Sequence, residues 1–240
     1  MAVDYLTRFM LGESPETVFS ISLIGASRAQ NEHFRDGYYD AAQSFVAQLD
    51  RKLDDKTIEC ACKLSTFDVW FRNASQAIGC KDYTQTNPDV NTIQNIRIMV
   101  ERSMSFWGKY GPIEKTGFTF RTVEDDTLEE PNTPQELMRF LKKIKETMGG
   151  YTDTVITGDG DYLTKDTIWE FKVLRSKPDK NVTLQLLMYW IMGQHSERPE
   201  FKGVDKVGIF NPRLNTIYIL DINNVPRSTI KEIEEKVICY

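Results

Sequence analysis

The chain has 240 residues, 40% hydrophobic and 27% charged, an ordinary soluble composition with enough length for one substantial domain or a core with an appended lobe. Its formal net charge of −5 argues against a general polyanion binder. No apolar run is long enough to span a bilayer, and the opening MAVDYLTRFMLGESPE lacks a signal-peptide layout.

Residues 1–90 read as mainly helical and hold no catalytic constellation. The pattern predicts one helix over 27–49 and another over 56–64, and 73–89, with Gly79, Asn87 and Pro88, reads as a loop. His33 stands without a supporting pattern and reads as a surface histidine. Cys60, Cys62, Cys80 and Cys239 are scattered, as free thiols would be. Asn91 is placed to cap a helix running to Trp107, with Ile93, Ile96, Val100, Met104 and Trp107 as its apolar stripe and Glu101 flanking it.

Residues 117–123 (GFTFRTV) read as a strand. An insertion over 124–150 follows: the acidic EDDTLEEP, then an amphipathic helix over 134–148 that Gly149 and Gly150 end. A lid, a partner-binding arm and plain decoration all fit it.

The densest chemistry lies in 151–190. Residues 153–163 are rich in β-branched side chains and run into the turn-prone Thr164-Lys165-Asp166; residues 167–174 alternate as a half-buried strand does. Side chains two apart on a strand share a face, so Glu170 and Lys172 project together with Ile168 and Leu174, opposite Trp169, Phe171 and Val173. Asp161 enters the turn on the neighbouring strand, and pairing brings its carboxylate close to that of Glu170. Two carboxylates and an ammonium on one sheet are costly unless something compensates the charge. A hard divalent cation does so: Mg2+ prefers oxygen ligands, accepts a couple of carboxylates and keeps several waters. The helix over 181–192 then sets Gln185 and Tyr189 on one face. An EF-hand loop counted from Asp159 fails, because Leu163 and Thr164 stand where it needs an acid or amide and then glycine.

Residues 204–210 and 216–222 form a terminal hairpin around a turn at 211–215 carrying Arg213, and 228–237 is a closing helix with Ser228 as its cap. Lys165, Lys172, Arg175, Lys177, Lys180, Arg198, Lys202, Lys206 and Arg213 give this half of the chain a basic lean, of the kind that holds phosphates.

Gly158-x-x-Asp161, Glu170-Phe171-Lys172 and Gln185-x-x-x-Tyr189 stand in this order on strand, strand and helix. The series resembles the PD-(D/E)XK nuclease superfamily, in its RecB-like branch. The resemblance implies an α/β fold, a restriction-endonuclease-like core with a mixed β-sheet flanked by helices over 91–240, preceded by the helical region over 1–90. It implies an Mg2+- or Mn2+-dependent nuclease acting on DNA or RNA, with DNA the expected substrate and exonuclease or endonuclease action left open. Asp161, Glu170 and the main-chain carbonyl of Phe171 would hold the metal, and Lys172 would serve the attacking water. Gln185 and Tyr189 would face the site and the nucleic acid, and Arg213 would reach a phosphate.

The gap between Asp161 and Glu170 is shorter than in many relatives, which keeps Asp159 as an alternative ligand. Relatives place a histidine or an acid on upstream helices, which leaves open whether His33 or Glu101 adds a further ligand; the favoured reading of each is a surface residue, Glu101 beside Arg97 and Arg102. An iron-sulfur cluster is not expected, because only Cys239 follows the core. The implied setting is the cytoplasm of a bacterial or phage-infected cell. The alternative function is a catalytically silent nuclease-fold module that binds nucleic acid or a protein partner.

Overall fold

The structure, a computed structural model, describes residues 1–122 and 146–240. Residues 123–145, which carry most of the expected insertion, lie outside the described residues. The chain divides into two compact units, Met1–Phe106 and Trp107–Tyr240. The division falls inside the helix expected to open the core.

Unit 1 is helical: α1 (Ala2–Met10), α2 (Pro15–Val18), α3 (Ser20–His33), α4 (Tyr38–Ala47), α5 (Asp55–Leu64), α6 (Asp68–Arg72), α7 (Ala74–Ala77) and most of α8 (Val90–Tyr110). Leu6, Phe9, Phe19, Ile58, Leu64 and Phe67 fill its core. Short polar side chains start some of the helices: Ser14 caps α2, Asn73 caps α7, and Asp54 caps α5 by accepting the Thr57 N–H at 2.8 Å. Asp89, not Asn91, caps α8, accepting the Thr92 N–H at 2.7 Å. Both residues have capping chemistry, and the cap sits two residues earlier than expected. The loop expected over 73–89 contains α7 and a 3-10 turn at Tyr83–Gln85, started by Asn73 and Asp82.

The helix expected over 27–49 is two helices. Phe34 takes φ 55 and Gly37 φ 75, both left-handed, and the Arg35 N–H returns to the Ala29 carbonyl. The Gln30 side chain then accepts the Tyr39 N–H at 3.1 Å, which turns the chain into α4. Asp68, fully buried at the start of α6, ties α1 and α3 to it: the Tyr5 hydroxyl donates at 2.5 Å and the Ser22 hydroxyl at 2.6 Å. Burial pushes the Asp68 carboxyl up, and the two hydroxyls oppose that shift.

Unit 2 is α/β. Strands β1 (Lys115–Phe118), β2 (Gly160–Leu163), β3 (Thr167–Phe171), β4 (Lys206–Asn211) and β5 (Thr216–Asp221) form one mixed sheet in sequence order. β3 and β4 are parallel and the other pairs antiparallel. The parallel pair is joined through α9 (Lys180–His195), which Asp179 caps. On one face Leu163, Ile168, Val207 and Ile209 pack with Leu186 and Tyr189 of α9. On the other, Trp107 at the end of α8 stacks on Phe171 with ring centroids 5.7 Å apart, and Tyr162 lies 4.7 Å from Trp107. Covered on both faces, β3 is buried along its length, as a central strand with a parallel neighbour is.

The strand expected over 153–163 shortens to β2, because its pairing with β1 begins only at Gly160, and the strand expected over 167–174 shortens to β3, whose register with β4 ends at Phe171. The closing helix α10 (Arg227–Ile233) follows Pro226 and has no side-chain cap. Ser228 lies within its first turn instead of at its start. Among the described residues no helix is long and apolar enough to cross a membrane.

Candidate functional site

The β2–β3 hairpin sets the geometry. Its register pairs Leu163 with Ile168 and Tyr162 with Trp169. One step further places Asp161 opposite Glu170, on the face that Leu163 and Ile168 share. At that step a side chain continues the ladder: Asp161 Oδ2 accepts the Phe171 N–H at 2.8 Å. The Phe171 carbonyl leaves the same edge of the strand as that N–H, so it lies on the Asp161 side.

Glu170 is 3% exposed, and its Oε1 accepts from Lys172 Nζ at 2.5 Å. The Lys172 backbone N–H donates to the Phe210 carbonyl at 3.0 Å, which extends the parallel pairing one residue beyond β3 and fixes where that side chain leaves the sheet. The structure thus brings Lys172 onto Glu170, with Asp161 one register step along the neighbouring strand.

Helix α9 adds the next pair. Gln185 Nε2 donates to the Tyr189 hydroxyl at 2.8 Å. Burial pushes the Tyr189 hydroxyl up to about 12, with the negative charges of Glu170, Asp161 and Asp159 adding to the effect and the Gln185 bond opposing it. Tyr189 thus stays a neutral phenol at physiological pH. Gly158 approaches its ring so closely that a Cβ there would sit 3.2 Å from Cε1, and it takes φ +148, a conformation suited to glycine.

Two supporting residues were not foreseen. The Tyr151 hydroxyl donates to the Gly158 carbonyl at 2.7 Å and accepts the Phe120 N–H at 3.2 Å, pinning the approach to β2. Asn211, fully buried, donates to the Leu174 carbonyl at 3.0 Å and accepts the Leu174 and Arg213 N–H groups at 3.3 and 3.1 Å. It joins the exit of β3 to the turn carrying Arg213. The Tyr151 bond to Phe120 and the Asn211 bonds to Leu174 join segments distant in the chain and have no local sequence signal, although Asn211 also makes a local turn to the Arg213 N–H. Tyr151→Phe removes both hydroxyl bonds, with an expected cost of about 1–2 kcal/mol. Amide hydrogen exchange should rise over residues 152–159 and stay unchanged in unit 1.

The remaining expected residues divide. Asp159 is exposed and precedes β2, whereas Asp161 lies within the strand and faces Glu170. Arg213 is exposed on its turn at the end of the sheet where Lys172 emerges. Arg175, Lys177 and Lys180 are exposed on the segment leading from β3 into α9. Other members of the basic lean are committed elsewhere, Arg198 to Glu200 at 2.5 Å and Lys206 to Asp166 at 2.7 Å. In unit 1, Glu101 is exposed on α8, and His33 packs on the Trp70 ring at 5.1 Å. The four cysteines are free thiols.

Among the described residues no three His, Cys, Asp or Glu side chains gather as a metal-binding group. What the hairpin offers is two facing carboxylates and a main-chain carbonyl, all hard oxygen donors. Comparison with protein-family models, with curated proteins and with solved structures gave no match.

Proposed function

We propose that the chain is a metal-dependent nuclease of the PD-(D/E)XK kind, hydrolysing phosphodiester bonds in DNA. The observation that carries this reading is the convergence of three separated pieces of sequence. Asp161 faces Glu170 across the hairpin, Lys172 bonds Glu170, and Tyr189 with its partner Gln185 stands near both acids.

The donor set fits a hard divalent cation, since two carboxylates and a carbonyl leave room for the waters that Mg2+ or Mn2+ retains. Asp161, Glu170 and the Phe171 carbonyl would hold the ion, and its chemistry there would be polarisation of a phosphoryl oxygen. Lys172, 27% exposed and tethered to Glu170, orients the attacking water. Tyr189, kept protonated, holds the scissile phosphate through its hydroxyl, and Gln185 fixes that hydroxyl's direction. Arg175, Lys177, Lys180 and Arg213 supply the local positive rim that a chain of net charge −5 needs to hold a phosphate backbone.

The test is cleavage of linear, circular and single-stranded DNA with Mg2+ or Mn2+, comparing the wild type with Glu170→Gln. The wild type should cut and the variant should lose about 10³-fold in rate, the scale of several kcal/mol of transition-state stabilisation. Cutting confined to linear DNA would mark end-dependent attack. Equal cutting by the variant would overturn the assignment. A second reading, a nuclease-fold module that binds without cutting, draws on the lack of a third gathered metal-ligating side chain among the described residues. DNA binding by the wild type with no cleavage under any of these conditions would establish it.

A further inference from the structure

The break between α3 and α4 is the strained point of unit 1. Asp36-Gly37 is a local turn signal and Gly37 takes φ 75, but Phe34 also adopts a left-handed conformation, one that non-glycine residues seldom take. Such conformations persist where the surrounding structure imposes them, and they cluster at ligand sites. The break carries Arg35 onto Trp70, with the guanidinium carbon 5.6 Å from the ring centroid.

Arg35, Tyr38, Thr66, Trp70, Lys81 and Asp82 line an open cavity of about 190 Å³. Its charge is uneven in a particular way. The Asp82 carboxylate is already used, accepting the Tyr38 hydroxyl at 3.1 Å, the Thr84 hydroxyl at 2.6 Å and N–H at 2.9 Å, and the Gln85 N–H at 3.2 Å. Neither Arg35 nor Lys81 has an ion pair among the described residues. With Arg35 and Lys81 against the single Asp82 carboxylate, the charged side chains lining the cavity sum to +1, in a chain whose total is negative.

A guanidinium held over an indole keeps its planar N–H groups for an oxyanion, and two parallel N–H bonds match a phosphate. The cavity is smaller than the roughly 300–1,000 Å³ of pockets that take drug-sized ligands, so it suits a phosphate with an attached sugar. Ile78, 67% exposed, also lines it and offers apolar surface to that sugar or its base.

We infer that unit 1 carries a nucleotide-phosphate site, with Arg35 as the phosphate fork and Lys81 as the second cation. The phosphate belongs either to a free mononucleotide or to a nucleotide within a single strand. The site is made wholly of unit 1 residues and does not depend on nuclease activity.

The test is binding by the full chain in EDTA, which removes any metal-dependent contribution. Inorganic phosphate and AMP are titrated calorimetrically, and a labelled ten-residue oligothymidylate is followed by anisotropy. Arg35→Gln and Lys81→Gln are compared with the wild type, with melting temperatures recorded. Affinity should fall about tenfold or more in a folded Arg35→Gln, the effect of losing a charge-assisted contact. AMP binding that falls in this way identifies the free nucleotide as the source, and the same loss seen with the oligonucleotide alone identifies the strand. If Arg35→Gln does not fold, exposed Lys81→Gln decides. The inference is overturned if the wild type binds none of the three probes or inorganic phosphate alone. It is equally overturned if binding is undiminished in every folded variant.

Discussion

Lys172→Ala is expected to abolish metal-dependent cleavage, by about 10³-fold or more, while the chain still folds. Lys172 lies just past the end of β3 with its stem partly in solvent, so its loss leaves little cavity in the core. What it removes is an ammonium 2.5 Å from a carboxylate that is only 3% exposed. Truncating one partner of a fully buried pair costs about 3–5 kcal/mol, and the partial exposure of Lys172 places the cost here lower, at about 1–3 kcal/mol. In EDTA the variant should therefore melt below the wild type.

Mn2+ should narrow that difference, because a divalent cation between Asp161 and Glu170 neutralises the same charge. It should not restore cleavage, because charge neutralisation does not orient the water. Thermal melts with and without Mn2+, beside the cleavage assay, separate the two roles. Undiminished cleavage by the variant would remove Lys172 from the chemistry. A melting difference that ignores Mn2+ would remove the metal from the hairpin.

The sequence made this site legible because its signals are local. The period of two over 167–174 orients Glu170 and Lys172 without reference to the rest of the fold, and a tight hairpin leaves little choice over what faces Glu170. The four-residue spacing of Gln185 and Tyr189 works in the same way on α9.

Features decided by tertiary contact were not legible. At the helix break Asp36-Gly37 is a local turn signal, but the left-handed Phe34, the reach of Arg35 to Trp70 and the Gln30 bond to the Tyr39 N–H are not described by local propensity. Tyr151 reaches Phe120 and Asn211 reaches Leu174 across the fold, so neither contact belongs to a spacing motif. The basic lean was a count of charges, and a count cannot show that Glu200 takes Arg198 while Arg175 stays exposed.

Two helical glycines show the same limit as a stability experiment. Gly25→Ala should destabilise unit 1 by about 3 kcal/mol, and Gly108→Ala should stabilise by about 0.5–1 kcal/mol. Both residues sit inside helices, α3 and α8, and propensity alone predicts the same small gain at each. A Cβ at Gly108 meets nothing within 4 Å, so that gain is realised. A Cβ at Gly25 would stand 2.1 Å from the Phe67 carbonyl oxygen and 2.9 Å from its carbon.

That neighbour is backbone, and Phe67 is itself 1% exposed at the entry to α6, so no rotamer change relieves the clash. Helices α3 and α6 have to part instead. Parting also stretches the 2.6 Å bond from Ser22, one turn earlier on α3, to buried Asp68 on α6. The overpacking cost and the loss of that charge-assisted bond fall on the same interface and exceed the helix-propensity gain. Urea unfolding followed by far-ultraviolet dichroism should move the two midpoints in opposite directions. A midpoint for Gly25→Ala at or above the wild type would show that α3 and α6 are not in backbone contact at this position.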